Sequence, residues 1–420
     1  MPDAQRPVTP RAGDRPALAR CIGLDPRDFA DNHWGKRPLL SRAGELGGGF
    51  ADLLDAAAVD ELVSRRGLRT PFLRMAKDGT VIKPERFTRS GGAGASINDQ
   101  IADDRVLAQL GAGATLVLQA LHRSWPPLVE FAAALAGDLG HPVQVNAYIT
   151  PADNQGFAAH YDVHDVFVLQ VSGRKRWRVH PPVFPDPLAD QPWEQRKAEV
   201  AGQAETEPLI DTVLEPGDAL YLPRGYLHSA VALGETTTHL TVGIHPVTRA
   251  GLVSHLLTSA RGQEQLRSSL PMGVDLADPD VLAPHLAATA RALADWLTQA
   301  DPAEIAALLD AELNRQIRPA PISPLAQLRA ADDITQDTTV KLRPGLRVRA
   351  RENADGIRLQ LIDSAVTVPL AARDAVKTVL AGAAFTPAEL PGLDPDERLS
   401  LTRQLLRAAV VVPAPGPRSA

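Results

Sequence analysis

The chain has 420 residues, 44% of them apolar and 22% charged, with a formal net charge of −6 and a single cysteine. That length suffices for two or three folded units. The composition excludes a disulfide framework, a thiolate-rich metal centre and a broad basic surface for nucleic acid, so any metal must be held by nitrogen and oxygen.

Residues 1–22 mix proline with charge where a secretory signal needs a continuous apolar stretch, and are read as a flexible tail of a cytoplasmic protein. No run reaches the roughly 18 apolar residues that cross a bilayer, so a membrane is not expected as a partner. LDPRDFADNHWGKRPLL, residues 24–40, reads as a short capped helix followed by an extended exit. Apolar groups at helical spacing predict a helix over 51–65, and PPLVEFAAALAGDL predicts another over 126–139, with prolines in its first turn and Gly140 after its end.

Between Val143 and Val247 the period shortens. VQVNAYIT, DVFVLQV, KRWRVH, ALYLP and THLTVGIHP are β-branched and aromatic runs separated by Gly, Pro and Asp, the pattern of a sandwich or small barrel. DVFVLQVSGRKRWRV reads as a hairpin turning at Ser172 and Gly173, with Lys175 opposite Gln170. The charged stretch 186–207 interrupts this core as a surface loop or a lid. Three amphipathic helices follow over 251–317, a Pro-rich joint at 318–324, and then strands and helices that suggest a small winged-helix-like unit. The expected organisation is a tail over 1–22, a catalytic domain over 23–250, a helical module over 251–320 and the winged-helix-like unit over 321–420. The helical module has faces apolar enough to be buried against a second copy, giving a homodimer.

HYDVHDVFVLQ, residues 160–170, spends four ionisable side chains just before an apolar strand. In extended chain, residues i and i+2 share a face, so His160 and Asp162 can offer an imidazole nitrogen and a carboxylate oxygen to one ion. Two ways of completing that set remain. His164 has the same parity and gives a local triad. Alternatively His228, in the distant turn–strand–turn LEPGDALYLPRGYLHSA, supplies the third ligand. A straight strand from Asp162 would carry Gln170, and Lys175 with it, roughly 26 Å away at about 3.3 Å per residue. A bend after Asp162 would turn His164 away and bring Lys175 back. The local triad and a nearby lysine are thus alternatives.

GFAAHYDVHDVFVLQVSGRKRWRV, with NAYITP upstream and YLPRGYLH downstream, resembles the JmjC oxygenases of the ribosomal oxygenase (cupin-4) group over about residues 23–250. The resemblance implies an α+β chain: a double-stranded β-helix (cupin barrel) followed by helical dimerisation and winged-helix-like modules. It implies a 2-oxoglutarate-dependent dioxygenase that uses Fe(II), 2-oxoglutarate and O2 to hydroxylate an arginine or histidine of a ribosomal protein. On that basis His160, Asp162 and His228 fall on the iron ligands and Lys175 on the residue that holds the distal carboxylate of 2-oxoglutarate. Asn146 falls on a polar pocket position, and 164 is not a ligand position. Relatives often carry a small hydroxyl residue where Gly243 stands, which leaves Thr241 as a substitute co-substrate contact. Two histidines and one carboxylate on one face of an octahedral ion leave room for a bidentate 2-oxo acid and O2, the arrangement of non-haem iron oxygenases. The competing readings keep the chemistry but change the substrate to a small molecule or nucleic acid, or make the protein a metal-binding scaffold without turnover.

Overall fold

Among the described residues, eight strands form one long antiparallel sheet and three form a second that faces it. The computed structural model describes residues 15–414, apart from 78, 95 and 156. Across the large sheet the order is Leu39–Ser41, Ala219–Leu222, Asp165–Ser172, Thr237–Ile244, Val143–Thr150, Thr115–Leu118, Leu73–Lys77 and Thr80–Val81. The small sheet runs Ile210–Leu214, Lys175–His180, Leu227–Ala232.

Side-chain parity explains the packing. In strand Asp165–Ser172, Val166 and Val168 point at the small sheet, where they meet Trp177, Val179 and Leu214. Phe167 and Leu169 point the other way, into a core built with Phe29, Phe131 and Leu135. A strand covered on both faces has no polar side, which is why DVFVLQV reads as an unbroken apolar run. The helices on that outer face are Pro26–Asn32, capped by Asp25 accepting from the Arg27 amide at 2.8 Å, Ala56–Arg65 and Pro126–Leu139, all close to expectation.

Three expectations are corrected. The segment 165–179 is not a hairpin: its two strands lie in different sheets, and Lys175 is in register with Leu214 and Ala232 rather than Gln170. The chain crosses between sheets at Ser172–Arg174, where Gly173 has φ +64° and an added Cβ would lie 2.6 Å from the Thr236 carbonyl. Residues 15–22, read as part of a tail, fold: Ala17, Leu18, Cys21 and Ile22 are buried in the core, while 1–14 lie outside the described residues.

The chain divides into two units, one holding the described residues up to His245, Pro319–Leu346 and those from Ala371 on, the other Pro246–Arg318 and Arg347–Leu370. Strands Arg349–Asn353, Gly356–Gln360 and Ala365–Val368 group with helices Arg249–Ala260, Pro279–Leu297 and Pro302–Gln316, and within this unit Arg347 and Arg349 pair with Asp310 at 2.8 and 2.6 Å. Helices Pro324–Asp332 and Pro395–Arg407 stay with the first unit, where the buried Gln327 amide donates to the Leu406 and Val411 carbonyls at 2.9 and 2.6 Å. No helix among the described residues is long and apolar enough to cross a membrane.

Candidate active site

One pair of backbone hydrogen bonds organises the site. The His160 amide donates to the His228 carbonyl at 3.2 Å and the His228 amide to the His160 carbonyl at 2.8 Å, which sets the two residues opposite each other. Their rings lie 4.5 Å apart, centroid to centroid. His228 Nε2 is 3.7 Å from Asp162 Oδ2, and one ligand atom from each of His160, Asp162 and His228 lies within 4.8 Å of the others.

The protonation pattern suits a cation. His160 Nδ1 donates to the Ala158 carbonyl at 2.8 Å and His228 Nδ1 to the Tyr226 carbonyl at 3.2 Å. A carbonyl only accepts, so each Nδ1 carries a proton and Nε2 is the ring nitrogen turned toward the cluster. Burial, followed by the His160 imidazole, pushes His228 down to about 4, so it is neutral at pH 7. For Asp162, burial works to raise the pKa, but His164, His228, His160 and Arg74 outweigh it and hold the carboxyl below its usual range.

Asp165, the last charge of the motif, has a different task. Wholly buried, it accepts from the Tyr221 hydroxyl at 2.7 Å and the Arg224 amide at 3.0 Å, while the Gly225 amide donates to the Asp162 carbonyl at 3.0 Å. The turn that delivers His228 is tied in this way to the segment carrying Asp162. Gly225 has φ +88°, and a Cβ there would sit 2.7 Å from the Phe184 carbonyl.

Lys175 projects from the small sheet into an open cavity of about 560 Å³ between the sheets, walled by Tyr148, Val166, Val168, Trp177, His239 and the cluster of His160, Asp162 and His228. It is 4% exposed and its amine donates to Thr150 Oγ1 at 3.1 Å, which in turn lies 3.2 Å from Thr115 Oγ1. Burial pushes the amine down to about 7. The buried Nε1 of Trp177 and Nδ1 of His239 lack a hydrogen-bond partner among the described residues. A cavity with an ammonium and polar atoms left unpaired is suited to an anion.

Thr241 lines this cavity. Asn146 instead lines a second cavity that shares Tyr148, Asp162 and Thr241 with the first, and it accepts from the Ala120 amide at 3.0 Å. His164 also faces the second cavity, 3.2 Å from the Gln144 amide nitrogen and ring to ring with His245, so the structure does not bring it to the other three. A Cβ on Gly243 would meet Gln144 and His164, away from Lys175.

Sequence reasoning missed Thr150, Thr115, His239 and Arg74. Parity could have found two of them, since Thr150 shares a face with Asn146, and His239 with Thr241. Segment 186–207 is folded: Tyr161 donates to the Gln191 carbonyl at 3.0 Å, and Val200 packs with Tyr161 and Leu227.

Residues 130–252 match the family model of the JmjC domain. Over that stretch the chain is similar to JmjC domains. Among curated proteins it is 41% identical over 136 residues to Ribosomal oxygenase 1 of Rattus norvegicus, covering 32% of this chain and 22% of that one. It is 30% identical over 234 residues to the bifunctional lysine-specific demethylase and histidyl-hydroxylase NO66 of Aedes aegypti, covering 52% and 33%. The chain thus spans a third or less of these two relatives. Among solved structures, YcfD, a ribosomal oxygenase from Escherichia coli in complex with cobalt and 2-oxoglutarate, superposes with a TM-score of 0.52 at 21% identity, covering 93% of this chain and 98% of that one. At that identity the likeness shows a shared fold.

Proposed function

We propose that this chain is an Fe(II)- and 2-oxoglutarate-dependent oxygenase that hydroxylates a protein side chain, an arginine or histidine of a ribosomal protein. The observation that carries it is the convergence of His160, Asp162 and His228 beside the buried amine of Lys175. The donor set fits a ferrous ion: two imidazoles whose Nδ1 atoms face carbonyls, leaving Nε2 for the ion, and one carboxylate, with no thiolate. The relatives' names and the cobalt and 2-oxoglutarate bound to YcfD support the same reading.

When bound, the ion, 2-oxoglutarate and O2 supply the oxidation: one oxygen atom enters a C–H bond of the target, the other enters succinate, and CO2 leaves. The protein's own residues do the rest. His160, Asp162 and His228 hold the ion on one face and leave the other face open. Lys175, backed by Thr150, neutralises and orients the distal carboxylate, with Thr241 at the junction of the two cavities. Val166, Val168 and Trp177 keep water from the reacting end.

Purified protein with Fe(II) is expected to release succinate from labelled 2-oxoglutarate. A ribosomal protein from a deletion strain should weigh one oxygen atom less than its wild-type counterpart, as read by intact-mass spectrometry. No mass difference in any ribosomal protein sinks the ribosomal target.

The second unit exposes Leu252, Val253 and Leu257 on one helix and Leu286 and Leu297 on another, surface that a second copy would bury. A homodimer is expected by analytical ultracentrifugation at micromolar concentration, and a monomer there removes this part. A reducing cytoplasm suits a ferrous site and the buried Cys21 thiol, which burial pushes up to about 12.

A further inference from the structure

The motif HYDVHD leaves one histidine that the cluster does not take up. The last register pair between strands Asp165–Ser172 and Thr237–Ile244 is Asp165 with Ile244, and just beyond it the rings of His164 and His245 meet, 5.2 Å apart between centroids and inclined at 64°. We propose that His164 and His245 bind a second divalent cation of the zinc class, tetrahedral and completed by water, at a site separate from His160, Asp162 and His228. The inference does not depend on the oxygenase reading, because it concerns two side chains to which that reading gives no task.

The ring spacing matches such an ion. An imidazole nitrogen about 2.0–2.1 Å from a metal puts the ring centroid about 3.2 Å away, so two rings on a tetrahedral ion stand about 5.2 Å apart and two neighbouring rings on an octahedral ion about 4.5 Å. His164 and His245 show the first separation, 5.2 Å, and His160 and His228 the second, 4.5 Å. A T-shaped ring contact alone also gives the larger value. That contact would leave the buried Nδ1 of His164 without a hydrogen-bond partner among the described residues, a costly position for a nitrogen. An ion supplies the partner. Gln144 is placed to set the proton: its amide nitrogen lies 3.2 Å from His164 Nε2, and a turned carboxamide presents oxygen instead, which holds the proton on Nε2 and leaves Nδ1 to the ion. Glycine at 243 makes room for the ring, since an added Cβ would come within 3.1 Å of His164 Cε1. On the facing strand the His245 amide donates to the Pro142 carbonyl at 2.9 Å, and the residue is exposed, so water reaches the remaining positions on the ion. Two imidazoles with no carboxylate favour a borderline cation over magnesium or calcium.

The test titrates the full chain with Co(II) at neutral pH, because tetrahedral Co(II) absorbs visible light far more strongly than octahedral Co(II). Wild-type protein should bind two equivalents, the first weakly coloured and the second intensely coloured, and Zn(II) should bleach the intense band by competition. His228→Ala should weaken the first and keep the second. His164→Ala and His245→Ala should each weaken the second at least about tenfold while retaining the first, which shows that the variants fold. Two donors hold an ion more loosely than three, so the second ion leaves on dialysis and only the titration reports it. A single equivalent in the wild type, which means a ring contact only, would overturn the proposal. So would a second equivalent that survives both histidine substitutions, an intense band that disappears with His228, or one that Zn(II) does not remove.

Discussion

Lys175→Met will abolish 2-oxoglutarate binding and at the same time make the protein harder to melt. The amine is 4% exposed, donates to a threonine hydroxyl, and is pushed from 10.5 to about 7 by burial. In the unfolded chain it titrates near its ordinary value of about 10.4. Between pH 7 and that value the unfolded state binds more protons than the native one, so native stability rises with pH across this window. Below pH 7 both states hold the proton, and the full cost of burying the ammonium is present. Methionine removes that cost, worth on the order of 2–4 kcal/mol near pH 7, and thermal unfolding should show a higher Tm.

Binding has the opposite dependence. A dicarboxylate needs the protonated amine, so above pH 7 it must bring a proton with it, and Kd should rise about tenfold per pH unit until the pKa of the complex is reached. Titration calorimetry between pH 6.5 and 9 reads this slope. An affinity independent of pH, or a Lys175→Met protein that still binds within about tenfold (1.4 kcal/mol), sinks the assignment of Lys175.

The second large effect is expected at the remote ligand. His228→Ala removes one of three nitrogen or oxygen donors and should lower Co(II) or Fe(II) affinity by at least about 100-fold, with 2-oxoglutarate turnover lost to the detection limit. The loss should show in metal content after dialysis as well as in rate. His164→Ala should leave metal content unchanged, because its ring faces Gln144 and His245 in the second cavity. The reverse pattern, metal retained without His228 and lost without His164, restores the local triad.

How far the sequence reaches is visible in these residues. The parity of His160 and Asp162, the Gly and Pro punctuation around the strands and the apolar run after Asp165 made the barrel and two of the clustered residues legible, because period and turn chemistry are local properties. Adding His228 took the wider resemblance, since nothing in PRGYLH says which strand it will face. The switch between sheets at Ser172–Arg174 was illegible for a related reason: a Gly turn signal is the same whether the chain folds back on its neighbour or crosses to another sheet. Strands Leu73–Lys77 and Thr115–Leu118 were missed because short runs in polar surroundings carry little periodicity, and with them went Arg74 and Thr115. The division of the C-terminal residues between two units rests on contacts between distant stretches, among them the ion pairs of Asp310 with Arg347 and Arg349, which composition does not encode.

The mutual pairing of the His160 and His228 main chains frees the intervening polypeptide from any duty of measurement. Because the two imidazoles are positioned by their own amides and carbonyls, those parts of the excursion from Pro181 through Glu207 that do not touch Tyr161 or Leu227 could lengthen or shorten without altering the gap between them. A slip of a single position at either end of the pairing, by contrast, would rotate one ring to the opposite side of its strand. Variation across descendants of this scaffold should accordingly accumulate in the excursion and stay away from its two anchor points.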